Sequence, residues 1–127
     1  MQTSIQPIFE ARVDVARNLA HTRYFGDITA AGMQDAAARG EAMLADLKPG
    51  FSVFADFREV VSMGLDCVPP LTKIMDLCRE HGIGLIIRRL PEPTRDIGIN
   101  ILSTVHYRGK VRTVTVDTVE EAESALQ

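Results

Sequence analysis

The chain has 127 residues, 46% of them hydrophobic and 24% charged, with a formal net charge of −3. This is the composition of an ordinary globular domain, long enough to bury roughly two-thirds of its unfolded surface. The acidic balance excludes nucleic acid as the main partner, since neutralising phosphates takes an excess of Lys and Arg, and no apolar run approaches the ~18 residues of a membrane span.

Phe9, Ala11, Val13 and Val15 alternate with Glu10, Arg12, Asp14 and Ala16. That period of two, interrupted at Arg17-Asn18, predicts an edge or half-covered strand. Leu19 to Phe25 is expected to pair with it, closed by Gly26-Asp27. Thr29 suits the N-cap of a helix carrying Met33, Ala37, Gly40, Leu44 and Leu47 on one stripe. Lys48-Pro49-Gly50 ends it, because proline cannot continue a helix and glycine accepts the turn.

Phe51–Phe57 and Ile83–Arg88 are too apolar for strands covered on one side only. They predict strands buried on both faces of a parallel sheet. Between them a loop ends at Asp66-Cys67, and Leu71, Ile74, Met75 and Cys78 then recur at the spacing of one helical face, with Gly82 as the stop. This is a βαβ crossover, and its loop falls at the edge where open α/β sheets place their sites. Pro91-Glu-Pro93 breaks the chain again, and Thr94 caps a third helix with Ile97, Ile101 and Val105 at successive turns. Val111 to Val116 reads as a β-branched strand. Thr118-Val-Glu-Glu121 has the form of a capping box before Val119, Ala122 and Leu126 on one face. The predicted order is ββαβαβαβα: a single α/β domain over residues 1–127, with a mostly parallel central sheet and flanking helices.

The only cysteines are Cys67 and Cys78. They lack metal-cluster spacing, and Cys78 falls on the apolar helix face, so no disulfide framework is expected. Met1-Gln-Thr-Ser-Ile-Gln-Pro has neither the basic nor the apolar region of a signal peptide, which makes a cytoplasmic setting the expectation. Cys67, at a helix N-terminus, could carry a stabilised thiolate; the simpler reading is a small buried residue. A hydrolytic dyad would need a histidine beside that sulfur. His21 lies in a strand and His106 at the end of the third helix, while His81 ends the helix that Cys67 begins, about 20 Å away on a straight rise. Asp56 and Asp66 share a sheet edge, yet no phosphate loop, GxGxxG or metal spacing brings a substrate or cofactor to them. Asp96 reads as an acid favoured in the first turn of the third helix. From Arg88 to Arg112 the chain carries Arg88, Arg89, Arg95, Arg108, Lys110 and Arg112 against Glu92 and Asp96. This is a solvated basic face, or else an anion site built on Arg88, Arg89 and Arg95.

Several stretches resemble the STAS domain, the fold of anti-sigma-factor antagonists and of the cytoplasmic tails of sulfate transporters. They are Tyr24-Phe-Gly-Asp-Ile-Thr29 before the first helix, Phe51-Ser-Val-Phe-Ala-Asp-Phe57 as central strand, Val60-Val-Ser-Met-Gly-Leu-Asp66-Cys67 as the loop into the next helix, His81-Gly-Ile-Gly-Leu-Ile-Ile87, and the tail from Thr115 to Leu126. The resemblance implies a partner-binding loop in which Asp66 matches the family's aspartate and Cys67 its phosphorylated serine. Cysteine is no substrate for a serine kinase, so the fold and the binding loop carry over while the phospho-switch does not. Val68-Pro69-Pro70 also departs from the small residues usual there, although prolines suit a helix's first turn.

The leading expectation is a non-enzymatic regulatory domain that binds a protein partner through Asp56, Arg58, Ser62, Asp66 and Cys67. Asp66 would stand as N-cap or its neighbour. The resemblance points to a kinase-like anti-sigma factor or another regulator as partner and leaves a homodimer open; no cofactor, metal or membrane is expected. The alternatives are a binder of an anionic ligand or nucleotide at Arg88, Arg89 and Arg95, and a thiol-dependent enzyme or redox sensor at Cys67.

Overall fold

Three local signals set element boundaries in the computed structural model, which describes residues 8–91 and 111–126. The Thr29 hydroxyl accepts the Gly32 N–H at 3.0 Å and starts helix α1 (Ala30–Leu44). Gly82 closes helix α2 (Val68–His81) in the left-handed conformation, φ +95°. A Cβ at Gly82 would also press on Pro49 Cβ at 3.1 Å, so both backbone and packing call for glycine. Thr118 and Glu121 satisfy each other's backbone N–H groups in a capping box that starts α3 (Val119–Ala125).

The strands are β1 (Phe9–Asp14), β2 (Leu19–Ile28), β3 (Ser52–Met63), β4 (Leu85–Arg89) and β5 (Arg112–Val116). They form one sheet in the order β1-β2-β3-β4-β5, with β1 antiparallel to β2 and every other pairing parallel. The βαβ crossover holds: β3 and β4 are parallel neighbours joined through α2. Alternation along β3 divides the core. Val53, Ala55 and Phe57 pack with Met33 of α1 and Leu71 and Met75 of α2, while Phe54 packs on the opposite face with Leu85, Ile87, Val116 and Ala122 of α3. Helices on both faces explain why Val53, Phe54 and Ala55 of β3 and Leu85, Ile86 and Ile87 of β4 are apolar at consecutive positions.

Two strands run further than their composition implies. β2 does not close at Gly26-Asp27; Gly26 takes φ +76° at a register irregularity, and Asp27 and Ile28 go on to pair with Ser62 and Met63. β3 likewise passes Phe57 and continues to Met63, because β2 keeps supplying its hydrogen-bonding partner. Arg58 and Ser62, expected in a loop, therefore lie on a strand. β4 starts at Leu85 rather than Ile83, and just ahead of it the Gly84 N–H bonds to Phe51 O at 2.8 Å. The third helix expected from Thr94, with Arg95 and His106, lies outside the described residues. No helix among the described residues is long and apolar enough to cross a membrane.

Candidate functional site

β4 accompanies β3 only from Ser52 to Asp56, whereas β2 stays with it to Met63. Among the described strands the β2–β3 pair therefore projects past the rest of the sheet. The chain leaves its tip through Gly64 and one 3-10 turn (Leu65–Cys67), which runs straight into α2. Val60 faces the core, while Arg58, Glu59, Val61 and Ser62 are exposed. The Ser62 hydroxyl donates to Asp27 Oδ1 at 2.7 Å, which fixes both side chains across the strand pair. Nearby, Arg23 bridges Glu59 at 2.5 Å and Glu10 at 3.0 Å and lies over the Phe25 ring.

The structure distributes the five expected contact residues over two depths. Arg58, Ser62 and Asp66 are at the surface. Asp56 is not: it is 6% exposed, its Oδ1 accepts the Arg58 N–H at 3.0 Å and its Oδ2 meets the Arg89 guanidinium at 3.4 Å. It holds the strand where β3 outruns β4, and it presents almost nothing outward. Cys67 is 0% exposed, with Sγ donating to the Ile28 carbonyl at 3.4 Å. The turn that opens α2 rotates this side chain inward beneath the end of β2, so the thiol is a packing group. Asp66 is the neighbour of the N-cap and not the cap, since Cys67 occupies that position with no side-chain cap bond. Pro69 and Pro70 in the first turn reduce the number of N–H groups needing a cap.

Two residues that sequence reasoning passed over stand at the same tip. Leu65 is 84% exposed and Val61 52% exposed, large apolar side chains that the fold leaves in water. The available signal was Leu65 between Gly64 and Asp66, an apolar residue in a polar turn with no periodicity to claim it for the core. Asp27, Arg58, Ser62 and Asp66 are exposed along the same projection and the turn that follows it.

The other expected sites do not assemble among the described residues. Arg88 and Arg89 are consecutive on β4 and so point to opposite faces. The Nε of Arg88 donates to Thr115 Oγ1 at 2.8 Å, and that of Arg89 to the Asp117 carbonyl at 3.0 Å. They do not converge on one anion. His81 Nε2 lies 2.7 Å from the Leu47 carbonyl at the far end of α2, and His21 stacks on Phe54 at 4.8 Å on the opposite face of the sheet. The Cys67 thiol is enclosed, and neither described histidine, His21 or His81, lies beside it. No group of three His, Cys, Asp or Glu among the described residues is placed to hold a metal.

No protein-family model and no curated protein sequence matches the chain. Solved structures do. The unphosphorylated anti-sigma factor antagonist SpoIIAA superposes with a TM-score of 0.62 at 13% identity, covering 92% of this chain and 94% of its own. An uncharacterised DUF3478-family protein with a SpoIIAA-like fold from Shewanella loihica gives 0.66 at 11% identity, with both chains covered in full. An anti-sigma factor antagonist from Mycobacterium paratuberculosis gives 0.58 at 18% identity, with 93% of each chain covered. A five-stranded, mostly parallel sheet in the order 1-2-3-4-5, with helices on both faces and a projecting β2–β3 pair, is thus a STAS-like fold, that of the anti-sigma-factor antagonists.

Proposed function

We propose that this chain is a non-enzymatic regulatory domain that binds a protein partner through the tip of the β2–β3 projection and the start of α2. Arg58, Ser62 and Asp66 would supply polar contacts, and Val61 and Leu65 the apolar centre. Asp56 and Cys67 would act from below by holding the strand and the helix start in place. The observation that carries this reading is Leu65, 84% exposed in the turn that leads into α2. A large apolar side chain in water gains free energy when a partner covers it, and such residues mark contact sites when grouped within a polar rim. The antagonists of similar fold give the reading its partner class, a regulator of the anti-sigma-factor kind.

Control of such a complex would not run through residue 67. A cysteine accepts no phosphoryl group from a serine kinase, and this thiol is enclosed. The test is capture of the partner with the intact chain from its own cells, followed by affinity measurements on variants. Asp66→Lys and Leu65→Ser should each weaken binding by about tenfold or more. Wild-type affinity in both variants would overturn the reading.

A further inference from the structure

Between the sheet and helices α1 and α2 lies an apolar cavity of about 80 Å³. Close-packed interiors seldom leave voids larger than a water molecule, whose share of liquid volume is about 30 Å³. The floor explains the void: Ala20 and Thr22 of β2 sit beside Val53 and Ala55 of β3, all short side chains in register at the centre of the sheet. The roof is adaptable, with Met43 of α1 and Met75 of α2 over that floor. Methionine is unbranched and repacks around guests of different shape.

Gly40 points to a retained space. It lies in the interior of α1, where glycine is the least favourable residue short of proline. Packing does not require it: a Cβ at Gly40 would meet nothing within 4 Å, whereas one at Gly32 would strike Ile8 at 2.8 Å. Gly32 relieves a clash, and Gly40 leaves a lining position empty. The seam beside it is a route inward, because Gly40, Met43 and Leu44 of α1 and Ile74 and Cys78 of α2 are half-buried rather than sealed. The polarity of the lining is one-sided. Burial raises the pKa of the Tyr24 phenol and pushes the Cys78 thiol up to about 11, so both are neutral at pH 7. Arg88 is the one charged side chain among the described lining residues, oriented by Thr115.

We propose that this cavity is a binding site for a slim alkyl chain with an anionic head, the chemistry of a medium-chain fatty acid. The tail lies beneath α1 and α2, and the carboxylate is directed to Arg88. The volume sets the shape of the tail: an unbranched chain enters end-on, and repacking of Met43 and Met75 lengthens the space. This site is separate from the β2–β3 tip and stands whether or not the tip binds a protein.

The test is a titration of the full chain, methyl-labelled at methionine, with sodium octanoate, octanol and octylammonium chloride. Octanoate should cause saturable shifts of the Met43 and Met75 methyl signals and give intermolecular NOEs to them. It should also bind about tenfold more tightly than octylammonium. Gly40→Leu should fill the space and weaken octanoate binding by about tenfold or more while leaving the melting temperature no lower than wild type. Should Gly40→Leu fail to fold, Gly40→Ala replaces it with a smaller loss, and the NOEs need no variant. Absence of saturable methyl shifts, NOEs to residues elsewhere, or full octanoate binding in a folded Gly40→Leu protein overturns the site. Equal affinity for octanoate and octylammonium overturns the anionic head.

Discussion

The Cys67 thiol donates to the carbonyl of Ile28 at 3.4 Å, joining the start of α2 to the end of β2. The contact spans the two elements that carry the proposed partner surface, and it is closed to solvent. Cys67→Ala removes both the buried sulfur and the donor, and should cost about 1–2 kcal/mol. In a Cys78→Ala background Cys67 is the single thiol. Its labelling by an aromatic disulfide reagent should follow the opening of the fold and accelerate with denaturant. Rapid, denaturant-independent labelling of the native protein would show that the sulfur is reachable.

Cys78 makes stability depend on alkaline pH. Burial raises its pKa from 9.0 to about 11. In the unfolded chain the thiol ionises near 9, while the folded chain keeps it protonated until about 11, so the unfolded state binds fewer protons in that window. Its contribution is fully present below pH 9 and is lost as pH rises through about 11, a total of about 2–3 kcal/mol. Tyr24, whose pKa burial also raises, acts in the same direction. Urea midpoints between pH 8 and 11 should fall in the wild type, and Cys78→Val should flatten the decline.

His21 has the opposite dependence. Burial first, and the Arg12 guanidinium second, lower its pKa from 6.5, with Nδ1 3.1 Å from Arg12. The folded value lies below the unfolded one. Its contribution is therefore complete above pH 6.5 and is lost as pH falls through the folded value. His21→Phe keeps a ring stacked on Phe54 and should remove that part of the acid-side decline. An unchanged acid profile would assign the decline to other groups.

The core permits a paired prediction. Leu85 is buried beside Phe54 and Ile87 under α3, so Leu85→Ala should cost about 2–5 kcal/mol. Gly40→Ala, in the open space of α1, should instead stabilise by about 1 kcal/mol through helix propensity. Chemical denaturation of both variants at one pH reads the two signs directly.

What was legible in the sequence was what local chemistry decides. Thr29, Gly82 and the Thr118/Glu121 box mark helix ends because their partners lie within four residues. The consecutive apolar residues Val53, Phe54 and Ala55 of β3 and Leu85, Ile86 and Ile87 of β4 imply cover on both faces. The continuation of β3 beyond Phe57 was not legible. Arg58-Glu59 and Val61-Ser62 carry no strand pattern, and the segment is a strand only because β2 runs beside it from 25 to 28. At the candidate site the simpler sequence reading of Cys67, a small buried residue, agrees with the structure. What the sequence did not show is that one turn of 3-10 helix takes the side chain out of the expected contact surface and into the core. The exposure of Leu65 is the other consequence of that turn.

Leu65 and Asp66 separate binding from folding. Leu65 is 84% exposed, so Leu65→Ser should change stability by no more than about 0.5 kcal/mol. Asp66→Lys puts a cation near the start of α2, where the helix end disfavours it by roughly 0.3–1 kcal/mol, small beside a domain stability of about 5–15 kcal/mol. At the centre of an interface the same changes weigh more. Truncating a covered apolar anchor costs about 2 kcal/mol or more, and reversing a charge adds like-charge contact and desolvation worth several kcal/mol. Both variants should keep the wild-type circular dichroism spectrum and melting temperature while losing the captured partner. Cys67→Ala should do the reverse, with a lower melting temperature and unchanged affinity at temperatures where it is folded. If Cys67→Ala abolishes association while remaining folded and the two surface variants bind normally, the contact lies elsewhere and the tip of the β2–β3 pair is not the docking surface.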